Sequence, residues 1–261
     1  MIEAYDKPIF DGLLHTGKPD LDALYRVGKI QLVHRTSYSG WTDPLGLPTA
    51  QWYDAVTAGV QAPRNIILID HESWSYTTKT ERQETATKYT ILYQELKARK
   101  PQWRIGWYMD PIRRDYWRAC QPIGSAQYLA WQQENSDLGA IMAPCTDVLM
   151  PSLYFFYTRD TPMGSGNADA LGLYLERNID EAKRVRRLYG RMDCPIYPYV
   201  WWMRHDGTRA LDHDVWETIV REVMDQADGM VLWGGWQTPW DEQAPWWVTI
   251  KARLTDKRRT G

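Results

Sequence analysis

Short apolar runs rich in β-branched and aromatic residues recur along the chain, separated by stretches long enough for a helix, which is the pattern of alternating β and α units. The spacing predicts strands over Ile9–Leu14, Ile30–Thr36, Ile66–Asp70, Ile105–Met109, Val148–Tyr154, Ile196–Trp202 and Met230–Gly234. Runs such as Ile-Ile-Leu-Ile from Ile66 and Met-Val-Leu-Trp from Met230 leave no polar face, as a parallel sheet covered on both sides requires. Between the strands the period changes. From Thr80 to Lys100, Ala86, Tyr89, Leu92, Tyr93 and Leu96 share one helical face and Pro101 stops it. From Asp169 to Tyr189 the stripe is Leu171, Tyr174, Leu175, Ile179, Ala182, Val185 and Leu188, with Gly190 at the exit. Asp214 and Glu217 have capping-box spacing ahead of Ile219, Val220 and Val223.

Seven strands with intervening helices predict an α/β fold, a barrel or doubly wound sheet rather than a sandwich, with a TIM-like (β/α) barrel the expected form. A length of 261 residues matches one barrel domain over 1–261, its charged end from 251 to 261 read as a fraying last helix. Polar residues collect where the strands end: Asp70 and Glu72, Asp110, Tyr154, Arg204 and His205, Trp236 and Gln237. In a parallel barrel those ends share one rim, where such enzymes build their sites.

Composition narrows the partner. With 31 basic and 33 acidic residues the net charge is −2, so nothing calls for nucleic acid or an anionic membrane. No signal-peptide pattern opens the chain and no apolar stretch nears the roughly 20 residues of a membrane span, so a soluble chain is expected, its compartment open and a removed export signal compatible. Cys120, Cys145 and Cys194 are far apart, which disfavours zinc and a disulfide scaffold while leaving one bridge possible. His15, His34, His71, His205 and His213 form no His-x-His or HExxH motif, so no hydrolytic metal centre is expected. Gly164, Gly166 and Gly172 lack dinucleotide spacing and read as a rim loop. The chain carries 15 Trp and 16 Tyr against 3 Phe, a preference for rings with a polar edge that suits half-wet surfaces. In the doublets Trp201-Trp202 and Trp246-Trp247, read as strand residues, the two rings face opposite sides.

The sharpest local feature is Ile-Ile-Leu-Ile-Asp70-His71-Glu72-Ser73-Trp74, an apolar strand running into two acids spaced i, i+2. Extended residues two apart point the same way, about 6.6 Å apart, so both can face one cleft. Two close carboxylates in a partly dry site do not both ionise freely; one keeps its proton to higher pH, which is what glycoside hydrolysis needs. The competing reading is a helix cap, or ion pairs with Arg113 and Arg114.

The order Asp70-x-Glu72-x-Trp74, then Met150-Pro-Ser-Leu-Tyr154, then Pro198-Tyr-Val200, then Val231-Leu-Trp-Gly-Gly-Trp236 resembles the hyaluronidases of animals and venoms, strongest from about residue 66 to 240. The resemblance implies a distorted seven-stranded barrel that needs no cofactor and retains configuration by substrate assistance. Glu72 would be general acid and then base, and Asp70 would orient the 2-acetamido group whose carbonyl oxygen attacks the anomeric carbon. Tyr154 would hydrogen-bond near that group and Trp233 would line its subsite. Trp74, Tyr108, Asp110, Tyr199, Trp201, Arg204 and Trp236 complete the expected substrate contacts. The implied partner is a polysaccharide or oligosaccharide with N-acetylated amino sugars. The chain departs from the family in four ways: His71 stands where it has tryptophan, Ser75-Tyr76 where it often has Arg-Pro, and Met203-Arg204-His205 where it has another tyrosine, and its cysteine framework is missing. A hyaluronan groove must manage repeated carboxylates, and only Arg113, Arg114 and Arg204 offer to do so, so another N-acetylhexosamine glycan fits at least as well. Two alternatives stay open: a glycan-binding barrel without catalysis, and a glycosidase with Asp110 as covalent nucleophile.

Overall fold

The computed structural model describes residues 7–60, 66–109, 111–155, 168–204, 206–236 and 238–256. Its strands are β1 (Ile9–Leu13), β2 (Gly28–Lys29), β3 (Gln31–His34), β4 (Ile66–Asp70), β5 (Arg104–Trp107), β6 (Tyr199–Trp201) and β7 (Met230–Gly234), and its α-helices are α1 (Leu21–Tyr25), α2 (Ala50–Gly59), α3 (Lys79–Arg99), α4 (Ala126–Met142), α5 (Ala168–Leu188), α6 (His213–Gln226) and α7 (Pro245–Asp256). They form two parallel sheets, β2-β1-β7-β6 and β3-β4-β5. One segment supplies both β2 and β3, which joins the sheets on one side. On the other, residues 148–152 bridge Gly106 of β5 through Val148 and Tyr199 of β6 through Ser152. The sheets therefore close into a distorted TIM-like barrel of seven staves.

The stave predicted over Val148–Tyr154 is present but is not a regular strand. Pro151 has no N–H to give, and Pro195 and Pro198 interrupt the neighbouring segment, so the ladder survives as single bonds such as Tyr199 N to the Pro151 carbonyl at 2.9 Å. The same prolines shorten the strand predicted over Ile196–Trp202 to Tyr199–Trp201.

Alternation along the staves sorts side chains. Phe10, Leu68, Val148, Met150, Tyr197, Tyr199 and Val231 fill the barrel, with Leu32, Tyr108, Trp201 and Trp233 above them. Ile67, Ile69, Ile105 and Trp107 face outward onto α3 (Lys79–Arg99), while Leu13, Met230 and Leu232 meet α5 (Ala168–Leu188) and α6 (His213–Gln226). The inward layer turns polar toward the strand ends, which places the candidate chemistry at one mouth.

The helices obey local signals. Thr78 and Glu81 cap α3 reciprocally, with Glu81 N–H donating to Thr78 Oγ1 at 3.1 Å and Thr78 N–H to Glu81 Oε2 at 2.7 Å. Gly190 ends α5 at φ +67°, and the Arg191 N–H returns to the Arg186 carbonyl at 2.9 Å. Leu188 is 54% exposed rather than buried, because the stripe has rotated off the core by the last turn. The residue before α6 is Asp212, so Asp214 lies inside the first turn and the expected Asp214–Glu217 capping box is absent. Trp246 and Trp247 belong to the helix α7 (Pro245–Asp256), not to a strand, and Gly172 lies within α5 rather than in a loop; Gly164 and Gly166 fall outside the described residues. Residues 251–256 continue α7, with Leu254 buried. All three cysteines are free, so the bridge left possible by the sequence does not form. No helix among the described residues is long and apolar enough to cross a membrane.

Candidate functional site

Asp70 is the last residue of β4 and points into the barrel mouth. His71 points out, where its ring packs 4.5 Å from Trp41 and 4.4 Å from Trp74. Glu72 returns to the inner side. Although the strand ends at Asp70, the alternation persists for two more residues, and Asp70 and Glu72 line one cavity of about 330 Å3. The walls of that cavity are Tyr108, Tyr154, Tyr199, Trp201, Trp233 and Trp236, with Leu32, His34, Leu68 and Gly234.

Burial, and then the charge of Glu72, push the Asp70 carboxyl up to about 7. The pairing expected from the sequence thus holds a proton near neutrality, and the carboxyl so raised is Asp70. No ion pair among the described residues involves either acid. The guanidinium of Arg113 lies 4.2 Å from the Tyr76 ring centre, and Arg114 donates to the Ser152 carbonyl at 3.3 Å, so neither satisfies the competing reading of the acids.

The tyrosines form a continuous wall. Tyr108 rings lie 5.9 Å from Tyr154 and 5.5 Å from Tyr199. Burial raises the hydroxyls of all three above the ordinary phenol value, so each remains a proton-bearing donor. Among the described residues, Tyr199 Oη and Trp201 Nε1 are buried without a hydrogen-bond partner, an arrangement that a polar ligand in the cavity can satisfy. Trp233 and Trp236 meet edge to face at 6.1 Å, and Trp236 is 70% exposed at the rim.

Glycines make the last turn of that wall. Gly234 has φ +121°, and a Cβ there would collide with the indoles of Trp201 and Trp202; Gly235, at φ +80°, would collide with His15. Met109, after Tyr108, holds φ +56° without being glycine, a local strain at the mouth of the cleft.

Two expected contacts are placed elsewhere, and three rim residues lie beyond the description. Trp74 is 3% exposed, packed among Trp41, His71 and Tyr89 between β4 and α3, and has no face for a sugar. Its position four residues past the strand end carries it behind the sheet. Arg204 does not line the cavity; it pairs with Asp206 at 3.4 Å in the turn after β6. Asp110, His205 and Gln237 fall outside the described residues.

Sequence reasoning missed the rest of the groove. A second cavity, of about 540 Å3, shares Leu32, His34, Asp70, Trp233 and Trp236 with the first and runs over β1 and β3 to Leu14, Thr36 and Ser37. Its floor holds Lys18, bound to Asp11 at 2.5 and 2.7 Å and to the Leu13 carbonyl at 2.6 Å. The sequence signal for His34 was the alternation Ile30, Leu32, His34, the same inward series that delivers Asp70. Among the described residues no three His, Cys, Asp or Glu side chains cluster as metal ligands would.

No protein-family model matches the chain, and no curated protein matches it by sequence. Solved structures do. Bee venom hyaluronidase superposes with a TM-score of 0.61 at 15% identity, covering 97% of this chain and 96% of its own. The likeness is one of fold. It reaches well beyond the stretch from 66 to 240 and takes in the N-terminal staves. A trimodular GH5_4-subfamily endoglucanase superposes at 0.50 with 12% identity, over 96% of this chain and 60% of the other. The chain therefore has the barrel architecture that these glycoside hydrolases use.

Proposed function

We propose that this protein is a glycoside hydrolase that cleaves beside an N-acetylhexosamine with retention of configuration, the acetamido group of the substrate serving as nucleophile. The observation that carries the reading is the Asp70 carboxyl, raised to about 7 beside Glu72 in a cavity walled by tyrosine and tryptophan. A glycan-binding barrel has no use for a carboxyl held near neutrality at that cost in burial.

The chemistry follows from two acids that face one cavity. A bound acetamido N–H needs an acceptor, which favours the carboxylate form of Asp70, and Glu72 enters the step as the acid. Glu72 gives that proton to the glycosidic oxygen as the C–O bond breaks, while the acetamido carbonyl oxygen bonds to the anomeric carbon. Asp70 holds the N–H as positive charge develops on the ring so formed. Glu72, now a carboxylate, takes a proton from water, whose oxygen attacks the same carbon and reopens the ring. Tyr154 and its neighbours donate to substrate oxygens, and Trp233 and Trp236 offer faces to pyranose rings.

The groove favours an uncharged glycan over a polyanion. Among the described residues lining both cavities, the one lysine or arginine is Lys18, and its ammonium is already held by Asp11. Repeated carboxylates would find no free cation there and would face Asp70 and Glu72.

The test is a matched pair of oligosaccharides, one N-acetylated and one with free amines. Release of products from the acetylated chain alone, with the anomer retained by proton NMR, supports the proposal. Equal cleavage of both chains would remove substrate assistance from it.

A further inference from the structure

Behind the tyrosine wall lies a cation that does not line the cleft. Arg114, in the loop after β5, donates through Nη1 to both Ser152 Oγ and the Ser152 carbonyl. Its guanidinium carbon sits 5.3 Å from the Tyr116 ring centre and 5.8 Å from that of Tyr154. Ser152 is fully buried in the irregular stave, and its Oγ is 3.1 Å from Tyr108 Oη. Tyr108 is in turn hydrogen-bonded to Tyr154, and both line the cavity with Asp70 and Glu72.

A guanidinium only donates, so Ser152 Oγ must accept from it. A cation at the oxygen end of a hydroxyl turns the hydrogen end away. The atom waiting there is Tyr108 Oη. With the serine proton directed at it, Tyr108 keeps its own proton to give, either straight into the cleft or to Tyr154, whose proton then faces the cleft. In both arrangements the relay runs one way and ends in a phenol O–H aimed at the bound ligand. Chains of this kind polarise each successive bond.

We propose that Arg114 is a positioning residue, which acts through Ser152 to fix the direction of the Tyr108–Tyr154 hydroxyls so that one of them donates to a substrate oxygen. The proposal rests on the reading of this cleft as the site of glycan hydrolysis. It assigns the irregular stave a purpose: Pro151 frees Ser152 from a regular ladder, and the serine serves as the link between the outer cation and the inner wall.

Ser152→Ala removes the link and leaves the cation and both tyrosines in place; Arg114→Met removes the cation, and Arg114→Lys restores its charge. With tyrosine labelled at Cζ with 13C, and the Tyr108 signal assigned by its loss in Tyr108→Phe, the resonance at neutral pH reports the hydrogen bonding of its hydroxyl without any substrate. It should move in Ser152→Ala and Arg114→Met and return toward the native position in Arg114→Lys. On an N-acetylhexosamine oligomer, kcat should fall about 10- to 100-fold in the first two variants with KM changed little, the usual scale for loss of an orienting partner. An unmoved Tyr108 resonance in folded Ser152→Ala and Arg114→Met overturns the relay. If the native protein cleaves no such glycan but the resonance moves as expected, the functional reading fails while the relay stands. Should Ser152→Ala fail to fold, the Arg114→Met and Arg114→Lys pair decides alone.

Discussion

His34 and Asp70 face each other across the β3–β4 ladder in register, each the last residue of its strand and each at the mouth of the barrel. The His34 ring is held by Nδ1, which accepts from the Thr36 N–H at 3.3 Å. The pair joins the two cavities: both residues line the one that holds Glu72, and both border the one that runs over β1. Asp70 therefore lies where the two cavities meet.

Asp70 holds its place against a cost in stability. The folded carboxyl keeps its proton up to about 7, whereas an unfolded one loses it near the ordinary value of 3.8. The stabilisation from that bound proton is complete below the unfolded value and is lost as pH rises through the folded one. Asp70→Asn removes the penalty, so the variant should be more stable than the native protein at pH 8, by about 1 to 3 kcal/mol after solvent screening. The two should converge near pH 4 in thermal or urea unfolding, and the variant should be inactive. A variant less stable than the native protein at pH 8 would show that Asp70 is not buried and crowded as described.

Glu72 contributes the charge component of the Asp70 shift, and burial the larger one. Glu72→Gln should therefore lower the Asp70 titration midpoint without returning it to the ordinary range. Carboxyl 13C NMR on aspartate-labelled protein reads this directly. An unchanged midpoint would mean that the two acids do not sense one another.

The two kinds of tryptophan should separate cleanly. Trp74 is packed among Trp41, His71 and Tyr89, so Trp74→Ala should cost about 3 to 5 kcal/mol of stability. Trp233 lines the cavity and carries less of the core; Trp233→Ala should weaken binding of an N-acetylhexosamine oligomer by about 0.5 to 1.5 kcal/mol with a smaller effect on unfolding. Calorimetric titration beside thermal unfolding of both variants checks the contrast, which fails if Trp74→Ala stays stable and loses the ligand.

Periodicity located all seven staves and the helices over Lys79–Arg99, Ala168–Leu188 and His213–Gln226, but not the one over Ala126–Met142, because a buried face is legible only where every second or every third to fourth residue marks it. The acid pair was legible for the same reason: Asp70 and Glu72 stand at strand parity. What local pattern does not carry is which neighbour a side chain meets once the chain leaves an element. Trp74 matched a motif but turns behind the sheet, and Arg204 turns into its own hairpin with Asp206. Pro151 broke the ladder of a stave that was otherwise correctly placed. His34 and the Asp11–Lys18 pair stayed invisible as parts of the groove, since each meets it only through staves that are distant in sequence.

The most direct measurement is the mass of products from an uncharged N-acetylhexosamine polymer incubated with the native protein and with Glu72→Gln. The account predicts shortened chains from the first and intact polymer from the second, with the variant still folded and still binding the glycan. Equal product from both proteins, or none from the native one across such polymers, would contradict it.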